Sequence, residues 1–122
     1  MNKNKTILII DDSNTSQTLL EWTLKNEGFN TLVASSVKEA RKIIAKIKPD
    51  LILLDLFMPY VSGYDFLKMK SALNIKEIPI IIVSAYDSQE SVKQTRDLGA
   101  SEFIAKPFTI QQIVKIVNKY LS

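Results

Sequence analysis

The chain has 122 residues, 46% of them hydrophobic, and a net charge of +3, which suits one domain with a real core, expected to span residues 1–122. It contains neither cysteine nor histidine, so disulfides, zinc–thiolate sites and serine-histidine or cysteine-histidine catalysis within the chain are excluded. Whatever chemistry it performs must run on carboxylates, hydroxyls and lysines.

Thr6 to Ile10 reads as a first strand, whose continuous apolar run "ILII" suits a strand covered on both faces of a parallel sheet. That run is too short for a signal peptide or a membrane span, so a cytoplasmic location is expected. Asn14 to Glu27 reads as a helix closed by Gly28, with Trp22 facing outward beside Leu19. Thr31 to Ala34 is a second strand. The next helix opens on a capping-box pattern, Ser36 with Glu39, and places Val37, Ala40, Ile44 and Ile47 at core-facing spacing before Pro49 stops it. Its Lys38, Arg41, Lys42, Lys46 and Lys48 read as a solvated face, so no direct contact with nucleic acid is expected.

Leu51 to Leu54, "LILL", is a third strand, and Gly63 to about Ser71 a third helix. Ile80 to Val83, "IIIV", is a fourth strand, followed by a helix from Ser88 to Leu98 ahead of Gly99. Glu102 to Ile104 is a fifth strand. The last helix, Thr109 to Leu121, opens with a Thr109 and Gln112 capping pair and carries an apolar stripe of Ile110, Ile113, Val114, Val117 and Leu121. Strand–helix units in series, joined by right-handed crossovers, predict an α/β fold: a doubly wound, five-stranded parallel sheet of order 2-1-3-4-5, flavodoxin-like, with helices on both faces.

In such a sheet the working crevice lies at the carboxyl ends of the strands where the order reverses, here the first and third. Asp11 and Asp12 follow the first strand, and Asp55 ends the third, interrupting "LILLDLF". Three carboxylates this close push protonation upward unless a cation binds among them, and carboxylate and carbonyl oxygens suit Mg²⁺ or Mn²⁺. Ser84 brings a hydroxyl to the same edge from the fourth strand, and Lys106 an ammonium from the fifth. This is equipment for handling a phosphoryl group: cations neutralise its oxygens, the hydroxyl hydrogen-bonds one, and a carboxylate attacks phosphorus. The acidic loop "DDSNTS" repels a bare phosphate and no Walker sequence occurs, which argues against nucleotide binding.

The motifs "ILIIDDS", "PDLILLDLFMP" with Gly63, "IPIIIVSA" and "LGASEFIAKPF" closely resemble the receiver domain of two-component response regulators, of the single-domain chemotaxis-regulator kind. The resemblance covers the whole chain and implies a phosphorylation-activated switch. It makes Asp55 the phosphoacceptor and gives Mg²⁺ the ligands Asp11, Asp12, Asp55 and the backbone carbonyl of Phe57. Ser84 takes the place of the family's switch hydroxyl, Phe103 that of its rotating aromatic, and Lys106 that of its phosphate-contacting lysine, ahead of a cis Pro107. The implied donor is a phosphohistidine on a sensor histidine kinase or histidine phosphotransfer protein. A downstream protein would read the face of the fourth helix, fifth strand and fifth helix, the chain being a monomer or a weak phosphorylation-dependent dimer. It would be a signalling switch, not a conventional enzyme and not a membrane protein, though it would catalyse its own phosphorylation and slow dephosphorylation. Phe57 and Tyr86, both bulky, stand where the family tunes hydrolysis, which predicts a long-lived phosphorylated state. Two alternatives are a degenerate receiver that binds protein without phosphorylation, and a hydrolase with an aspartyl-phosphate intermediate. Phe57 opposes the second, since such enzymes need a carboxylate there.

Overall fold

A computed structural model describes residues 4–122. Its five strands are β1 (Thr6–Ile10), β2 (Asn30–Ala34), β3 (Leu51–Leu54), β4 (Ile80–Ser84) and β5 (Glu102–Ala105). They alternate with α1 (Asn14–Asn26), α2 (Val37–Lys46), α3 (Gly63–Lys68), α4 (Gln89–Asp97) and α5 (Ile110–Leu121). All pairings are parallel and the order is β2-β1-β3-β4-β5, as the strand–helix alternation predicts.

The uninterrupted apolar runs have a direct structural cause. Alternate side chains of each central strand enter opposite cores, and both cores are covered by helices. Leu8, Ile10, Ile52, Leu54, Ile80 and Ile82 join Ala40, Ile44 and Phe66 on one side. Ile7, Ile9, Leu51, Leu53, Ile81 and Val83 join Leu20, Leu24, Ile113 and Val117 on the other. No helix among the described residues is long and apolar enough to cross a membrane.

Every helix begins on a hydroxyl cap: Ser13, Ser36, Ser62, Ser88 and Thr109 each accept a hydrogen bond from a backbone N–H three residues on. Because each helix follows a strand, these helix N-termini gather at the carboxyl edge of the sheet. Thr109 with Gln112 forms the expected reciprocal box, and Ser62 with Asp65 forms another from the same sequence spacing. At Ser36 the box is displaced. Ser36 accepts from the Glu39 N–H at 3.1 Å, but the Glu39 carboxylate accepts from the N–H of Ser35, not Ser36, at 2.8 Å.

Ile47 does not join the core as its spacing suggests; it is 49% exposed. The backbone there is extended (φ −135°, ψ 120°): α2 ends at Lys46 with Ile47 as its C-cap, one residue ahead of Lys48, where Pro49 disfavours helical backbone. Ile110, at the start of the α5 stripe, is likewise exposed, whereas Ile113 and Val117 are buried. α3 is a turn shorter than expected, its end tightened by the Met69 N–H donating to the Phe66 carbonyl at 2.9 Å. Trp22 faces outward beside the exposed Leu19.

Candidate functional site

The topology brings Asp11, Asp12, Asp55, Ser84 and Lys106 to the carboxyl edge of β1, β3, β4 and β5. Asp11 and Asp55 each lie one residue past their strand, where Asp55 N–H still donates to the Ile10 carbonyl and Asp11 N–H to that of Ala34. The ladders thus extend just far enough to hold both backbones. Asp11 and Asp55 are buried and Asp12 is exposed. One carboxylate oxygen from each of the three falls within 4.8 Å of the others.

Lys106 reaches this cluster from the loop after β5, bonding Asp11 Oδ2 at 2.8 Å and Asp55 Oδ2 at 3.2 Å. Burial opposes its positive charge, but the hydrogen bonds and charges of Asp11 and then Asp55 outweigh that and hold the ammonium above the usual lysine range. Burial pushes the Asp11 carboxyl up, against hydrogen bonds from Lys106 and the Ser13 N–H. Asp55 adds only a small repulsive contribution to that rise. The upward direction expected from three like charges is therefore found at Asp11, with desolvation as its main cause.

The other oxygens are assigned as well. Asp55 Oδ1 accepts from the Leu56 N–H at 2.7 Å, and Asp11 Oδ1 from the Ser13 N–H at 2.9 Å. Ser84, the last residue of β4, is buried, and its Oγ accepts from the Tyr86 N–H at 3.2 Å. Gly63 N–H donates to the Leu56 carbonyl at 2.9 Å, packing the start of α3 against the chain beside Asp55. A Cβ at Gly63 would lie 2.5 Å from the Asp55 carbonyl oxygen, which explains glycine there without any need for a positive φ. The Lys106–Pro107 peptide is cis.

Phe57 and Tyr86 meet edge to face, ring centroids 4.7 Å apart at 82°. They follow Asp55 and Ser84 by two residues each, so both rings rise from the loops that leave β3 and β4 at the carboxyl edge. Phe103 is half-buried against the core that contains Leu8 and Ile10. It also lines a cavity of about 160 Å³ beside Val92, Thr95 and Arg96 of α4. Gln17 of α1 carries a contact that no sequence motif announces: its Nε2 donates both to the Asp11 carbonyl and to Ser35 Oγ.

The family model for the response regulator receiver domain matches residues 7–118. The chain is 36% identical over 118 residues to sporulation initiation phosphotransferase F of Bacillus subtilis, covering 97% of this chain and 94% of that protein. The receiver domain of Francisella response regulator 1452 superposes with a TM-score of 0.89 at 32% identity, covering 97% of each chain. The chemotaxis protein CheY4 of Vibrio cholerae superposes with a TM-score of 0.90 at 26% identity, covering 96% of this chain and 98% of that one. Two transcriptional regulators among the relatives are longer, and this chain spans 45% and 48% of them.

Proposed function

Because the chain belongs to the response regulator receiver domain family of two-component systems, we propose that Asp55 accepts a phosphoryl group from a partner's phosphohistidine. The donor is a sensor histidine kinase or a histidine phosphotransfer protein, and the modification switches the surface that a downstream protein reads. The observation that carries this reading is the clustering of Asp11, Asp12 and Asp55 with Lys106 bonded to two of them. Such a cluster is costly to bury and suits the transfer of a highly charged group.

Asp55 Oδ1 is fixed by the Leu56 N–H, which leaves Oδ2 as the attacking atom once Lys106 turns from it. The new bond joins that oxygen to phosphorus as the bond to the imidazole nitrogen breaks. Lys106 then bonds the arriving phosphoryl oxygens. Ser84 Oγ is engaged only as an acceptor, so its proton is free to be donated to another of them. The all-oxygen donor set and its spacing fit Mg²⁺ or Mn²⁺, held by Asp11, Asp12, Asp55 and the Phe57 backbone carbonyl. When bound, such an ion neutralises charge on the transferring phosphoryl group.

Drawing Ser84 toward the phosphoryl group moves the start of the loop into α4. The cavity beside Phe103 gives that ring room to turn inward, which alters the α4/β5/α5 face. That helix is loosely seated, since the residues it buries are Ser91 and Thr95. β5 and α5 are fastened together: Lys119 and Tyr120 both bond Glu102 Oε2 at 2.8 Å. Incubation with a phosphorylated histidine kinase and Mg²⁺ should move label onto this chain, and chelation should stop the transfer. Undiminished transfer in chelator would reject the role given to the acidic cluster.

The Phe57–Tyr86 pair shields the acyl phosphate from water in this account. Phe57→Asn and Tyr86→Glu should each speed dephosphorylation, together by about tenfold, which corresponds to about 1.4 kcal/mol in the barrier. Label-release time courses on isolated phosphoprotein read this directly. Equal or slower release from the variants would show that the rings do not exclude the attacking water.

A further inference from the structure

We propose that Gln17 is a positioning residue that sets the acidic loop in its divalent-binding geometry by tying the end of β1 to the start of α2. The inference rests on reading the Asp11, Asp12 and Asp55 cluster as a metal site. Asp11 is held at every oxygen: Oδ1 by the Ser13 N–H, Oδ2 by Lys106, and the backbone carbonyl by Gln17 Nε2. Asp12 is the opposite case. It is exposed, and its side chain has no hydrogen-bond or ion-pair partner among the described residues.

The position of the Asp12 carboxylate is therefore fixed by its backbone alone. The peptide joining Asp11 to Asp12 is planar, so whatever orients the Asp11 carbonyl also orients the nitrogen and Cα of Asp12. Gln17 is the side chain that holds that carbonyl. Its amide is anchored in turn, because the same Nε2 donates to Ser35 Oγ at 2.9 Å, and the Ser35 N–H is held by Glu39 of α2. The displaced capping interaction at α2 thus belongs to a line of contacts that runs Glu39, Ser35, Gln17, Asp11. Without it, the loop would have to be ordered by the ion itself, and the entropy of fixing it would weaken binding.

Gln17→Met keeps the length of the side chain and removes its donor. Mg²⁺ titrations followed by amide NMR of Asp12 and Ser13 should show a dissociation constant raised about tenfold, the scale seen for residues that orient metal ligands. The thermal midpoint without metal should change little, which separates positioning from general stability. Ser35→Ala should give a smaller loss. The double variant should bind no more weakly than Gln17→Met alone, since both act through one bridge. Unchanged Mg²⁺ affinity in Gln17→Met, or strictly additive losses in the pair, would overturn the inference. Failure of the unsubstituted protein to bind Mg²⁺ at all would instead remove the metal-site reading on which it stands.

Discussion

Replacing Lys106 with methionine should destabilise the metal-free protein by about 2 kcal/mol and nearly abolish phosphorylation. Removing one partner of a buried pair leaves the other charge uncompensated, which costs about 3–5 kcal/mol in fully buried cases. The Lys106 side chain keeps 18% of its surface exposed, so solvent screening brings the expected cost below that range. The effect has a distinct pH signature. Lys106 is held above the ordinary lysine value, so, while Asp11 and Asp55 are ionised, its contribution is fully present below about pH 10.4 and is lost as pH rises through the elevated value. The unsubstituted protein should show that alkaline loss and the variant should not.

On the acid side the sign also follows from the direction of the shift. Asp11 is raised, so its protonated form favours folding, and that contribution disappears as pH rises through the elevated value. Without Lys106 the carboxyl should rise further. The variant should therefore be least impaired in acid, where Asp11 is neutral, and most impaired near neutrality. Urea unfolding across pH tests both statements, and an impairment that grows in acid would contradict the pairing.

Gly63→Ala should lower the unfolding free energy by roughly 2 kcal/mol, within the range found when methyl groups are forced into packed sites. The added Cβ would meet the Asp55 carbonyl oxygen at 2.5 Å and Leu56 Cα at 2.9 Å. Both are backbone atoms, so no side-chain rotation relieves the contact. The gain from replacing glycine by alanine, about 0.4–1 kcal/mol through the unfolded chain, does not offset it. Relief would come from moving the Asp55–Leu56 segment, so phosphorylation should slow along with the loss of stability. Unchanged stability with full phosphorylation would mean that α3 can shift without moving Asp55.

The sheet was legible in the chain because its strands are buried on both faces. "ILII", "LILL" and "IIIV" have no polar face to place in water, and that pattern suits a parallel sheet between helices. The positions of Asp11, Asp12, Asp55, Ser84 and Lys106 followed from one rule about strand ends. Ile47 did not follow, because helical spacing runs on in a sequence past the point where proline ends the helix. The Lys106 bonds were less legible still. Residues 95 apart meet at Asp11 because the fifth strand returns beside the fourth, and spacing alone cannot say which carboxylates a flexible ammonium will choose. Gln17 had no signal at all, since a glutamine on a helix looks alike whether it bonds water or the carbonyl behind a cluster of carboxylates.

The central claim is that Asp55 is the group that receives phosphate. Intact-mass measurement and peptide mapping after exposure to a phosphorylated histidine kinase and Mg²⁺ test it most directly, with Asp55→Asn treated in parallel. One phosphoryl group should appear on Asp55 in the unsubstituted chain and none in the variant. Equal labelling of Asp55→Asn would contradict the assignment, and no labelling of either chain would favour a module that binds its partner without phosphorylation.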